Sequence, residues 1–136
     1  MTGSKKLLAI FGFAFAFNLF WESLHYSLYI PIHSIVRLPG VTIFAALLDA
    51  LFVLAIFLLF NRTNLVWKIV AALLVSLSIE RWALFFNIWE YKNAMPIIPF
   101  LETGLSPTVQ LAVTIAIVYF SLKINKNPSD LGRRGF

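Results

Sequence analysis

The chain has 136 residues, of which 60% are hydrophobic and 12% charged, with a formal net charge of +5. Soluble domains carry roughly 25% charged residues, so this composition excludes an ordinary water-exposed domain and makes the bilayer the natural solvent. Cysteine is absent, which removes disulfide frameworks, thiolate metal sites and thiol nucleophiles.

Spanning a bilayer takes about 20 apolar residues per helix. The first such run extends from about Leu7 to Ile30. Its start, "MTGSKKLLAIFGFAFAF", imitates a secretory leader, with an A-x-A at Ala14 and Ala16. The apolar run continues past that point without a break, so a spanning helix is expected rather than a cleaved leader. A helix advances 100° per residue, so offsets of zero, four, seven and eleven share a face. Asn18, Glu22, His25 and Tyr29 stand at those offsets and form one narrow polar stripe, with Trp21 beside it.

The segment "PIHSIVRLPG" (31–40) leads into a second run, from about Val41 to Phe60. Here Thr42 and Asp49 are seven apart, with Ala45 and Ala46 between them. The tetrapeptide "NRTN" (61–64) has turn and capping chemistry. The third run is read from about Leu65 to Tyr91, with Ser76, Glu80, Ala83, Asn87 and Tyr91 on one face. Glu90 lies at the edge of that face. Arg81 is turned about 100° from Glu80, which predicts that it meets a carboxylate on a neighbouring helix.

Residues 92–107, "KNAMPIIPFLETGLSP", hold three prolines and a glycine yet are rich in Met, Ile, Phe and Leu. A solvated loop would be polar, so this one is expected to fold onto the bundle, residues 93–106 forming a lid. Ser106 and Pro107 are suited to start the fourth helix, which runs to about Lys123 and aligns Gln110, Thr114 and Ser121. Residues 124–136 form a basic tail. "FNLFWE" (17–22) and "FNIWE" (86–90) echo one another. A duplicated helical hairpin is one reading, though aromatic gathering at membrane interfaces produces such look-alikes freely.

These features predict an all-α membrane protein: a single four-helix transmembrane bundle with a hydrophobic outer loop folded onto it. Continuous apolar runs disfavour a β-barrel, whose segments alternate. Lys5, Lys6, Arg62, Lys68, Lys123, Lys126, Arg133 and Arg134 fall on one side of the layout, against Arg37 and Lys92 on the other. That bias puts both termini in the cytoplasm, in a plasma or inner membrane. It also accounts for the basic balance without nucleic acid.

A polar face turned to lipid is costly, so the four stripes should converge inside the bundle. Glu22 and His25 fall in the outer half of the first helix, Glu80 just outward of the middle of the third, and Asp49 near the middle of the second. The inner portions are almost wholly apolar. A pocket open toward the outer leaflet, with a dry floor, is expected. Three buried carboxyl groups with a single strong cation nearby cannot all stay ionised, since desolvation and like charge both favour the neutral form. A neutral carboxyl beside an ionised one and a histidine is equipment for proton transfer.

Glu22, His25, Glu80 and Asp49 are therefore the candidate catalytic residues. Asn18, Trp21, Tyr29, Arg81, Asn87, Trp89, Glu90 and Gln110 are the candidate substrate contacts. Glu22 and His25 have the E-x-x-H spacing of di-iron bundles, but the second pair that such sites need is missing. No metal or cofactor is implied. The expected activity is acid–base isomerisation, hydration or cyclisation of a lipid- or isoprenoid-like molecule, or its binding. A small proton-coupled transporter and a non-catalytic subunit are the competing readings. Expected partners are the bilayer, a hydrophobic small molecule or lipid, and a second copy or a larger membrane complex.

The charge bias has a direct consequence. A cysteine placed at Ser34 should react with an impermeant maleimide added outside intact cells, and one at Ser129 should not. Outside labelling at Ser129 would reverse the orientation and every depth assignment with it.

Overall fold

In the computed structural model, residues 3–124 are described, and the basic tail from residue 125 onward lies outside them. Four α-helices dominate: α1 (Gly3–His25), α2 (Val41–Leu59), α3 (Leu65–Phe85) and α4 (Leu105–Ile124). Four short strands join them: β1 (Tyr29–Pro31), β2 (Trp89–Tyr91), β3 (Ile97–Ile98) and β4 (Thr103–Gly104). Three helices, α1, α2 and α4, are long and apolar enough to cross a membrane. The helix α3 has the length as well, but it carries Lys68, Glu80 and Arg81.

Two helices are shorter than the apolar runs predict, for identifiable reasons. The run to Ile30 ends as helix at His25, passes through a 3-10 turn (Tyr26–Leu28) and becomes β1. Pro31 follows Ile30, and the residue before a proline is pushed out of the helical region. The third run stops at Phe85 rather than Tyr91 because Asn87 adopts φ 50, the left-handed conformation. The amide of Asn87 bonds to Leu84 O at 3.1 Å and that of Ile88 to Ala83 O at 2.9 Å, which is the Schellman pattern for closing a helix. Asparagine is one of the few residues that tolerate this conformation. Asn87 is thus a cap, and the stripe it was expected to extend ends before it.

The two redirected segments then pair. β1 and β2 are antiparallel, with Tyr29 opposite Tyr91 and Pro31 opposite Trp89. The echoed hexapeptide and pentapeptide are not equivalent in the structure. Asn18 and Glu22 lie within α1, whereas Asn87 and Glu90 lie beyond the end of α3.

At the opposite end, Asn64 caps α3 by accepting from the Trp67 amide at 3.3 Å. Lys68 reaches back to Phe60 O at 2.5 Å and Thr63 O at 2.6 Å, so a cation meets the free carbonyls at the end of α2. Residues 97–104 form the small hairpin β3–β4. It is anchored by Met95 and Thr103, 4% and 0% exposed, while Phe100 at its tip is fully exposed.

The helices do not pack evenly. α1 lies along α2 and α3 along α4, with α1 also meeting α4, whereas α2 and α3 touch only sparsely. The core made by Ile10, Ala14, Val53, Ile56, Ala72, Ile115 and Val118 fills the end of the bundle that holds the 60–64 turn. Toward the strand end, α2 and α3 stand apart. The outer surface is apolar on every helix, with Leu8, Phe20, Phe44, Leu51, Leu74 and Phe120 among the exposed side chains. Soluble monomers rarely expose contiguous apolar patches beyond a few hundred Å², so this surface fits hydrocarbon.

The tight floor should resist added volume. Ala72→Leu, at a position with no exposure, should destabilise the protein by about 1–3 kcal/mol through overpacking. Leu74→Ala, on the exposed face of the same helix, should change little. Unfolding in mixed detergent micelles would check both.

Candidate functional site

The gap between α2 and α3 is a cavity of about 750 Å³, within the ~300–1,000 Å³ range of small-molecule sites. All four helices contribute polar groups to it: Glu22 and His25 from α1, Asp49 from α2, Ser76 and Glu80 from α3, and Gln110 from α4. Tyr29 and Trp89 come from the paired strands, and Phe44, Leu48, Phe52 and Trp82 form much of the apolar wall. Residues 93–106, expected to form a lid, do not line this cavity; among that stretch and its neighbours only Pro107 reaches it.

Each carboxyl has its own support. Glu80 is 4% exposed and accepts from two phenols, Tyr29 Oη at 3.3 Å on one oxygen and Tyr91 Oη on the other. The β1–β2 register sets the two tyrosines opposite each other, so the small sheet lies at the point where both can reach one carboxylate. Burial first, and then the adjoining Glu80, hold both phenols above the usual tyrosine range. Both therefore remain donors at any physiological pH. Trp89 Nε1 is buried nearby and is a third neutral N–H or O–H group on the Glu80 side of the cavity.

Glu22 and Asp49 share a different donor. Gln110 Nε2 lies 2.8 Å from Glu22 Oε1, 2.7 Å from Asp49 Oδ2 and 3.1 Å from Asn18 Oδ1. An amide nitrogen carries two hydrogens, so three oxygens compete for two. Asn18 is fixed beneath them, donating to Ala14 O at 2.9 Å and accepting from Thr114 Oγ1 at 3.0 Å. This clamp joins α1, α2 and α4.

His25 is 5% exposed. Its Nδ1 faces Trp21 O at 3.1 Å, and since a carbonyl only accepts, that contact places the proton on Nδ1. Nε2 is then the lone-pair nitrogen, 3.8 Å from Glu22 Oε2. The imidazole packs against the Tyr29 ring, centroids 5.4 Å apart.

Of the expected site residues, Glu22, His25, Asp49, Glu80, Tyr29, Trp89 and Gln110 meet at the cavity, and Asn18 meets it through Gln110. Trp21 packs against Phe17 and His25 behind the site. Three residues stand elsewhere. Asn87 caps α3. Glu90, opposite Ile30 in the strand ladder, points to a separate recess with Lys92 and Glu102. Arg81, expected against a buried carboxylate, is turned outward by its position beside Glu80. It donates to Leu101 O at 3.1 Å and stands 3.7 Å from Glu102, both side chains being exposed.

Helical spacing places Tyr91 on the Glu80 face, and it does donate to Glu80, but it reaches it from a strand and not from the helix. Ser76 was visible on the polar face, but nothing in the sequence distinguished it from packing hydroxyls. Among the described residues no group of three His, Asp or Glu side chains converges to hold a metal ion. Comparison of the chain with protein-family models, with curated proteins and with solved structures gives no match.

Two substitutions separate these environments. Tyr91→Phe removes a hydrogen bond to an acidic group and should cost about 1–3 kcal/mol in detergent unfolding. Arg81→Gln, which breaks an exposed pair, should cost about 0–1 kcal/mol.

Proposed function

We propose that the chain is a four-helix transmembrane protein, both termini cytoplasmic, whose cavity binds a lipid- or isoprenoid-like molecule and catalyses acid–base chemistry on it. The observation that carries this reading is the cavity's make-up. Two differently supported acidic centres, Glu80 and the Glu22–Asp49 pair, stand in a mainly apolar cleft between loosely packed helices.

The α2–α3 gap is a lateral mouth through which a molecule dissolved in the bilayer enters without crossing water. The three charges of α3 are compatible with spanning. Lys68 sits at the 60–64 turn, Glu80 is held by tyrosines, and Arg81 turns to the 97–104 hairpin. Groups supported so differently can play opposite roles. One proton held between Glu22 and Asp49 resolves the competition for Gln110 and is the acid. Glu80, with two phenol donors, is the ionised base, and His25 Nε2 is a second acceptor beside Glu22.

For a double-bond shift, the acid proton adds to one alkene carbon, and the π pair becomes the new C–H bond. The base takes a proton from a carbon on the other side, and the electrons of that C–H bond form the new double bond. One proton enters and one leaves, so no cofactor or oxidant is required. Water or a second double bond capturing the same intermediate would give hydration or cyclisation instead.

A transporter needs polar access from both sides. The packed floor of Ile10, Ala14, Val53, Ala72 and Ile115, each 0–1% exposed, opposes that.

Membranes containing the wild type, incubated in heavy water, should yield an extractable lipid that has gained deuterium at carbon. Glu22→Gln and Glu80→Gln should each abolish this gain while keeping the folded protein. Equal labelling by all three, or none above membranes lacking the protein, would overturn the catalytic reading.

A further inference from the structure

The cavity's electrostatics specify more than an apolar ligand. Three carboxyl groups and a histidine line it, and no lysine or arginine does. The described cations are all occupied or placed elsewhere. Lys68 bonds to Phe60 O and Thr63 O, Lys92 to Ser27 O, Arg37 to Pro31 O and Arg81 to Leu101 O. Lys5, Lys6, Arg62 and Lys123 are exposed at the far end of the bundle. Donors in the cavity wall are neutral: two phenols and one amide.

A second observation points to something that occupies the space. Hydroxyls on these helices turn back to the carbonyl one turn earlier: Ser23 to Leu19, Ser78 to Leu74 and Thr108 to Gly104, each at 2.7 Å. Ser76 does not. Its side chain is 4% exposed, its Oγ has no partner, and it lines the cavity one turn from Glu80. A buried hydroxyl left unpaired costs about 1–3 kcal/mol, and a polar ligand atom offsets that cost. Aromatic side chains line the same cavity: Tyr26, Tyr29, Phe44, Phe52, Trp82 and Trp89.

Buried acidic groups without a cation, in a cavity that aromatic side chains also line, match one ligand chemistry. A cationic centre carried in hydrocarbon is attracted to the carboxylates, and ring quadrupoles favour it further in a desolvated site. We infer that the cleft selects an apolar molecule that carries or develops a single positive charge, placed between Glu80 and the Glu22–Asp49 pair, with Ser76 as its uncharged polar contact. This rests on the reading of the cleft as a lipid site and names the substrate class within it. The charge has two sources with the same chemistry: a lipophilic amine, or a carbon cation formed when the site protonates an alkene.

Two probes of one skeleton test it: farnesyl dimethylamine, charged at neutral pH, and farnesyl methyl ether, neutral. Binding to the full chain in nanodiscs is read by competition and by tryptophan fluorescence. The amine should bind at least tenfold more tightly than the ether. That preference should fall below threefold in Glu80→Gln and in Glu22→Gln, through loss of affinity for the amine. A helical circular dichroism spectrum and a single size-exclusion peak show that each variant is folded. Equal binding of both probes by the wild type would overturn the charge inference and leave the lipid site standing. Binding of neither would overturn both. The sources separate in heavy water. If deuterium enters a lipid and the amine blocks it, the cation is formed in the site. If an amine-bearing lipid co-purifies and no deuterium enters, the cation arrives with the ligand. Either result supports the inference.

Discussion

Everything at the strand end of this bundle depends on holding three carboxyl groups away from water. Ionisable side chains inside a membrane-spanning bundle are expensive and persist only with partners. Here the partners are neutral: two tyrosines for Glu80 and one glutamine for Glu22 and Asp49. Neutral donors stabilise a carboxylate without cancelling its charge. Glu80 and the Glu22–Asp49 pair are therefore supported but not neutralised by their donors.

The fold follows from those supports. Gln110 draws α4 to α1 and α2, and the Tyr29–Tyr91 pairing ties the end of α1 to the segment after α3. At this end no such polar link joins α2 to α3 among the described residues, and there the cleft opens. Below it, small and branched residues close the bundle. Site and floor thus divide the molecule along its length, buried polar groups at one end and hydrocarbon packing at the other.

Much of this was legible in the sequence, for one reason: helical periodicity maps directly onto a face. Asn18, Glu22 and His25 share a stripe, and the structure turns that stripe inward. Asp49, Glu80 and Gln110 were found the same way. Helix ends were the weak point. The same asparagine that looked like a site residue at position 87 is a left-handed cap, because capping and hydrogen-bonding sites use the same amino acids. Once α3 stops at Phe85, spacing says nothing about Glu90 or Tyr91. Pairing between β1 and β2 depends on residues 60 apart in sequence, which no local pattern encodes. Arg81 was misplaced for a related reason. Its angle around the helix was right, but the outward side faces the hairpin at 97–104 rather than another helix.

The central claim is that the two acidic centres differ, the Glu22–Asp49 pair holding a proton and Glu80 ionised. Infrared spectroscopy of the protein in lipid near neutral pH tests this most directly, because a protonated carboxyl in a dry site has its own C=O stretch. The account predicts one such band, lost in both Glu22→Gln and Asp49→Asn and retained in Glu80→Gln. A spectrum without any protonated-carboxyl band, or one whose band disappears only in Glu80→Gln, would contradict it.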